Sequence, residues 1–148
     1  MRIFHVPTRY LDNSTLYTEY GVLLALFKNL TKSDPISEDR LYWKFVDHKK
    51  YIFYRLLLVS EAMENRGLDT DIDILKMMDI ASIDSIEYEV SIADIENDIQ
   101  FLSELWEEYQ GYDPALPDYL EKLALTNSED LLQEVQFLIA QYEEEYGV

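Results

Sequence analysis

The chain has 148 residues, of which 48% are hydrophobic and 14% aromatic, with a formal net charge of -18 and no cysteine. This length suffices for one core without disulfides or a structural metal, and the hydrophobic content excludes wholesale disorder. The absence of cysteine excludes disulfide frameworks and thiolate metal sites and fits a reducing compartment.

The charge is divided along the chain. Residues 1–67 hold ten basic and eight acidic side chains, a net of +2, whereas residues 68–148 hold two basic (Lys76, Lys122) and twenty-two acidic ones, a net of -20. A surface of that kind repels free nucleic acid, whose binding depends on cations replacing counterions, and attracts basic partners. The longest apolar runs, such as residues 56–59, fall far short of the roughly 20 residues a membrane span needs. The opening residues 1–7 lack an apolar signal-peptide core, so a cytoplasmic protein is expected.

The first helix is expected after Asp12-Asn13-Ser14, a cluster of N-cap formers, with Leu16, Tyr20, Leu23, Leu24 and Phe27 as its core stripe. Turn formers at residues 31–35 end it, and Ser37 or Asp39 is placed to cap a second helix. No Gly or Pro interrupts residues 41–66, where Phe45, Ile52, Leu56, Val59 and Met63 keep helical spacing, so one long helix is expected. Gly67 sits where a left-handed C-cap belongs.

Residues 71–79 read as a short helix, and residues 83–90 are ambiguous because Ile86, Tyr88 and Val90 alternate as in a strand. Ser91-Ile92-Ala93-Asp94 has the form of a capping box and opens an amphipathic helix through Ile95, Ile99, Leu102, Trp106 and Tyr109. A shorter helix is expected to start at Asp113-Pro114 or Leu116-Pro117 and a last one at Asn127-Ser128. Glu143, Glu144 and Glu145 near its end oppose the helix dipole and so serve something other than helix stability. The expectation is a single all-α domain over residues 1–148, of about five to six helices.

The second helix carries Tyr42-Trp43-Lys44-Phe45-Val46-Asp47-His48-Lys49-Lys50-Tyr51, then Arg55-Leu56-Leu57-Leu58-Val59-Ser60-Glu61-Ala62-Met63, and closes on Asn65-Arg66-Gly67. With the opening Met1-Arg2-Ile3-Phe4-His5-Val6 and the run Leu16-Tyr17-Thr18-Glu19-Tyr20, this order of motifs resembles the pyrimidine-dimer DNA glycosylases of the bacteriophage endonuclease V type. The resemblance covers about residues 1–75, and the acidic second half has no counterpart in it.

The resemblance implies a compact all-α fold whose N-terminal amine attacks the sugar carbon, aided by a carboxylate, to excise a damaged base and nick the strand. Such an amine, with an ordinary pKa near ~8, is partly neutral at working pH and forms an imine. The carboxylate would stabilise the cationic sugar, and basic side chains would hold phosphates. In the family that carboxylate closes a motif of the Glu-Tyr-Arg-Glu kind. This chain has Glu19-Tyr20-Gly21-Val22, which puts Val22 at the catalytic position and Glu19, nearly one turn earlier, as a candidate to take over the role. Met1-Arg2 also departs from members whose small second residue lets the methionine be removed.

No catalytic residue, metal ligand or cofactor is therefore assigned. His5 and His48 have no ligand spacing, and Asp69-x-Asp71-x-Asp73 lacks the Gly and Glu of a calcium loop, with Ile74 and Ile80 at those positions. The leading expectation is a non-catalytic inhibitor or decoy of phage type, mimicking DNA toward a basic, nucleic-acid-binding defence protein. Its acidic surface would comprise Glu87, Glu89, Asp94, Glu96, Asp98, Glu104, Glu107, Glu108, Glu143, Glu144 and Glu145. Two alternatives stay open: sequestration of a small nucleotide by Arg2, Arg9, Lys49, Lys50 or Arg55, and a residual glycosylase/lyase activity.

Overall fold

A computed structural model describes residues 2–35 and 38–147. Met1 and Ser37, one of the two expected caps, lie outside the described residues. Among those residues there are seven α-helices, a short 3-10 turn at Thr8–Tyr10 and no strand. The helices are α1 (Asn13–Leu30), α2 (Arg40–Phe45), α3 (Lys49–Asn65), α4 (Ile72–Lys76), α5 (Ile92–Tyr109), α6 (Leu116–Ala124) and α7 (Ser128–Tyr146).

Helix α1 follows Asp12 in extended conformation and buries Leu16, Leu23, Leu26, Phe27 and Leu30. The long helix expected over residues 41–66 is two helices, α2 and α3, which raises the number from six to seven. The break has a long-range cause. His48 leaves the helical region (φ -124°, ψ 41°), the Asp47 carbonyl accepts the Ile86 N–H at 2.7 Å, and His48 Nδ1 lies 2.9 Å from the Ile86 carbonyl oxygen. Ser85 Oγ then accepts the Lys50 N–H at 3.1 Å, capping the new helix start from a distant segment. The alternation at residues 83–90 is thus an extended strap over the α2–α3 junction, and Ile86 on it is 64% exposed.

Helix α3 is the centre of the molecule: all ten residues from Tyr51 to Ser60 are buried. It packs most extensively on α1 and also meets α4 and α7, while α5 packs on α6 and α7. Its end is a Schellman turn. Gly67 takes φ 79°, its N–H bonds the Glu64 carbonyl at 3.0 Å, and the Leu68 N–H bonds the Met63 carbonyl at 2.9 Å. Arg66 then donates to the Leu11 and Thr8 carbonyls, fastening the α3 end to the segment that leads into α1.

The acidic half forms its helices from local signals. Ser91 and Asp94 make a reciprocal capping box on α5, Pro117 occupies the first turn of α6, and the Asn127 side chain accepts the Glu129 N–H at 2.8 Å to cap α7. One hydrophobic cluster runs across the charge boundary, joining Leu16, Phe53 and Leu56 to Leu102, Trp106, Val135 and Ile139. At the α7 end, Lys50 Nζ reaches the Gly147 carbonyl at 3.3 Å, placing a cation where the Glu143–Glu145 dipole conflict arises.

Candidate functional site

The N-terminal segment runs extended through the interior, with Ile3, Phe4, His5 and Val6 at most 5% exposed. An extended chain among helices has no ladder partner, yet its buried N–H and C=O groups must be paired. Three helices supply charged side chains for this. Glu19 of α1 accepts the Phe4 N–H at 2.9 Å, Asp98 of α5 accepts the N–H groups of His5 and Val6, and Arg55 of α3 donates to the Val6 carbonyl at 2.6 Å.

The charges in turn pair with one another. Arg55 grips Glu19 in a bidentate fork, Nε to Oε2 at 2.8 Å and Nη2 to Oε1 at 2.9 Å, with both side chains at most 1% exposed. Burial opposes the Arg55 charge, but Glu19, together with Tyr51 and Asp98, more than offsets it and the guanidinium pKa is raised. Asp98 also takes Arg2 Nη2 at 3.0 Å; burial still pushes its carboxyl up to about 6 against these donors. Burial lowers His5 to about 3, so its ring is neutral, and Nδ1 meets the Tyr51 hydroxyl at 2.5 Å. Burial likewise raises Tyr51 and Tyr88, and Tyr88 donates to Asp94 at 3.0 Å.

Both Glu19 oxygens are therefore committed to Arg55 and the Phe4 amide, although the residue borders the cleft between α1 and α5. Val22, one turn further along α1, is half-buried against the core. Two clefts adjoin the segment through Arg2. One of about 550 Å³ lies between α1 and α5 and includes Thr18, Phe101 and Tyr112 in its wall. The other, of about 410 Å³, is lined by charges of both signs, among them Lys44, Asp94 and Glu104.

A family model described as pyrimidine dimer DNA glycosylase matches residues 1–76, just over half the chain. The chain belongs to that family. No curated protein and no solved structure matches it. The family portion comprises the buried N-terminal segment and α1 to α4, and it ends at the last residue of α4. Helices α5 to α7 lie outside the match, yet Asp98 of α5 completes the hydrogen bonding of the family portion's own first residues.

On this glycosylase-family framework the expected acidic surface is only partly a surface. Glu87, Glu89, Glu96, Glu104, Glu107, Glu108, Glu144 and Glu145 are exposed, and Asp94 and Glu143 are half-buried. Asp98 departs from the expectation: it is 1% exposed because the N-terminal segment needs its oxygens.

The five cations considered for nucleotide binding are not gathered together. Arg55, expected at a phosphate site, is sealed inside by Glu19. Arg9 pairs with Glu134 of α7 at 3.1 Å, and Lys49 is half-buried on the first turn of α3. Arg2 and Lys50 line different clefts.

The functions of Glu19, Arg55 and Asp98 as a buried charged cradle went unread in the sequence. The available signal was position: Glu19 falls between Leu16 and Leu23 on the apolar stripe, and Arg55 interrupts an apolar run.

Proposed function

We propose that this family member is a non-catalytic binding protein whose acidic second half engages the basic surface of a nucleic-acid-binding protein, as an inhibitor or decoy. The observation that carries this reading is the commitment of Glu19. The carboxylate of Glu19, three residues before Val22 on α1, is wholly buried in a bidentate ion pair and holds the backbone of Phe4. General acid–base work requires a group within reach of the substrate that exchanges its proton near working pH. Glu19 is engaged instead in holding Arg55 and the Phe4 backbone.

The surface supports the second part of the reading. Along α5, Glu96, Glu104, Glu107 and Glu108 are exposed, and Glu144 and Glu145 are exposed at the end of α7. Among the described residues these six have no salt bridge, since the salt bridges there involve Asp98, Glu134, Glu19 and Glu61. They are available to cations of a partner, and their charge would steer the encounter.

The reading is tested by competition. A fluorescent DNA duplex bound to a basic, sequence-nonspecific DNA-binding protein is titrated with the chain while anisotropy is followed. Displacement is expected at low salt, weakening steeply as salt rises, and Gln replacements at Glu104, Glu107 and Glu108 should weaken it further. Absence of displacement at low salt, or displacement insensitive to salt, would refute the mimicry.

A further inference from the structure

The cleft between α1 and α5 has features that the acidic surface does not explain. Its volume of about 550 Å³ falls in the range of roughly 300–1,000 Å³ typical of small-molecule sites. Its outer wall is aromatic: Phe101 is 38% exposed, Tyr109 45% and Tyr112 83%, with the two tyrosine rings 6.1 Å apart. Two residues of this wall carry buried N–H donors that lack an acceptor among the described residues, Trp106 Nε1 and Arg2 Nε. Trp106 is only 1% exposed, and a buried donor left unpaired is costly, so an acceptor supplied from outside would be rewarded.

The charges of the wall restrict the ligand further. Glu19 is neutralised by Arg55, and the guanidinium of Arg2 is engaged by Asp98. That leaves Asp12, which accepts from Thr15, and Asp113, which accepts the Ala115 N–H, as the wall's carboxylates with no salt bridge among the described residues. A phosphate or carboxylate would be repelled, while an uncharged ring would lie against the tyrosines and Phe101 without penalty. We propose that this cleft binds a small, uncharged, planar aromatic molecule bearing a hydrogen-bond acceptor such as a carbonyl, with Trp106 Nε1–H and Arg2 Nε–H as its donors.

The test follows the two tryptophan indole N–H resonances of the full chain by NMR during titration with benzamide, which has the ring and the carbonyl. The Trp106 signal should move and saturate while that of Trp43, on α2, stays in place. Toluene, lacking the acceptor, should bind about tenfold more weakly, as loss of one good hydrogen bond gives, and benzoate, repelled by Asp12 and Asp113, should also bind more weakly than benzamide. Trp106→Phe should weaken benzamide by a similar factor. Should that variant fold poorly, Tyr112→Ala at the exposed rim should weaken benzamide several-fold with no change in melting temperature. A Trp106 signal unmoved by benzamide, benzoate binding as well as benzamide, or full affinity in Tyr112→Ala would overturn the proposal.

Discussion

Glu19 and Arg55 are buried together, so neither stands alone energetically. Replacing Arg55 by Met leaves a carboxylate in the core without its partner, a change that costs about 3–5 kcal/mol. Urea denaturation of Arg55→Met should show a loss of that size. The double variant Glu19→Gln with Arg55→Met should lose less than the sum of the single losses, because the pair is one interaction.

Asp98 supplies a pH signature at the same scale. Its proton is held to about pH 6 in the folded chain against an ordinary value of 3.8. The folded state therefore binds more protons than the unfolded one between these values, and the Asp98 contribution is favourable below about pH 4 and lost as pH rises through 6. His5 acts in the opposite sense: lowered to about 3, it contributes above pH 6.5 and loses that contribution as pH falls toward 3. Removing Asp98 uncovers the His5 slope. The stability of Asp98→Asn relative to the unaltered chain should rise between pH 4 and 6 by up to about 3 kcal/mol, read from urea midpoints; a constant difference would show that Asp98 does not titrate there.

These roles were hard to read from sequence because they depend on what the N-terminal segment does. Glu19 in an apolar stripe marks a buried charge, but only the threading of residues 2–7 between α1, α3 and α5 explains why the core accepts three charges.

Local signals set most helix boundaries, and there sequence and structure agree. The Ser91–Asp94 capping box, the Asn127 cap, the proline in the first turn of α6 and the Gly67 turn all act within a few residues of themselves. Gly67→Ala forces an alanine to φ 79° and should cost about 1 kcal/mol by thermal or urea denaturation. The exception is the interruption between α2 and α3, which residues 41–66 do not encode. It is held by the strap at residues 83–90, through Asp47, His48 and Lys50. Ser85→Ala removes a cap from the α3 start across 35 residues of sequence. It should cost about 1 kcal/mol and accelerate hydrogen exchange at the Lys50 amide; unchanged exchange there would show that the strap does not fix the break.

At the scale of the whole molecule, the charge division separates surfaces without separating cores. The near-neutral half coincides closely with the glycosylase-family match, while one hydrophobic cluster spans both halves. The acidic helices also reach inward, since Asp98 of α5 holds the backbone of His5 and Val6. Composition gave the sign and size of the charge. Only the fold reveals that Asp98 is withdrawn from the surface while the other carboxylates of α5 face outward or lie at its edge.

We propose that this glycosylase-family fold is used for binding without glycosylase chemistry, a reading that the commitment of Glu19 to Arg55 supports. Incubation with duplex DNA containing an abasic site, followed by borohydride, traps any imine between a working amine and the opened sugar. The account predicts no covalent adduct after prolonged incubation at high protein concentration, and a trapped protein–DNA adduct would contradict it.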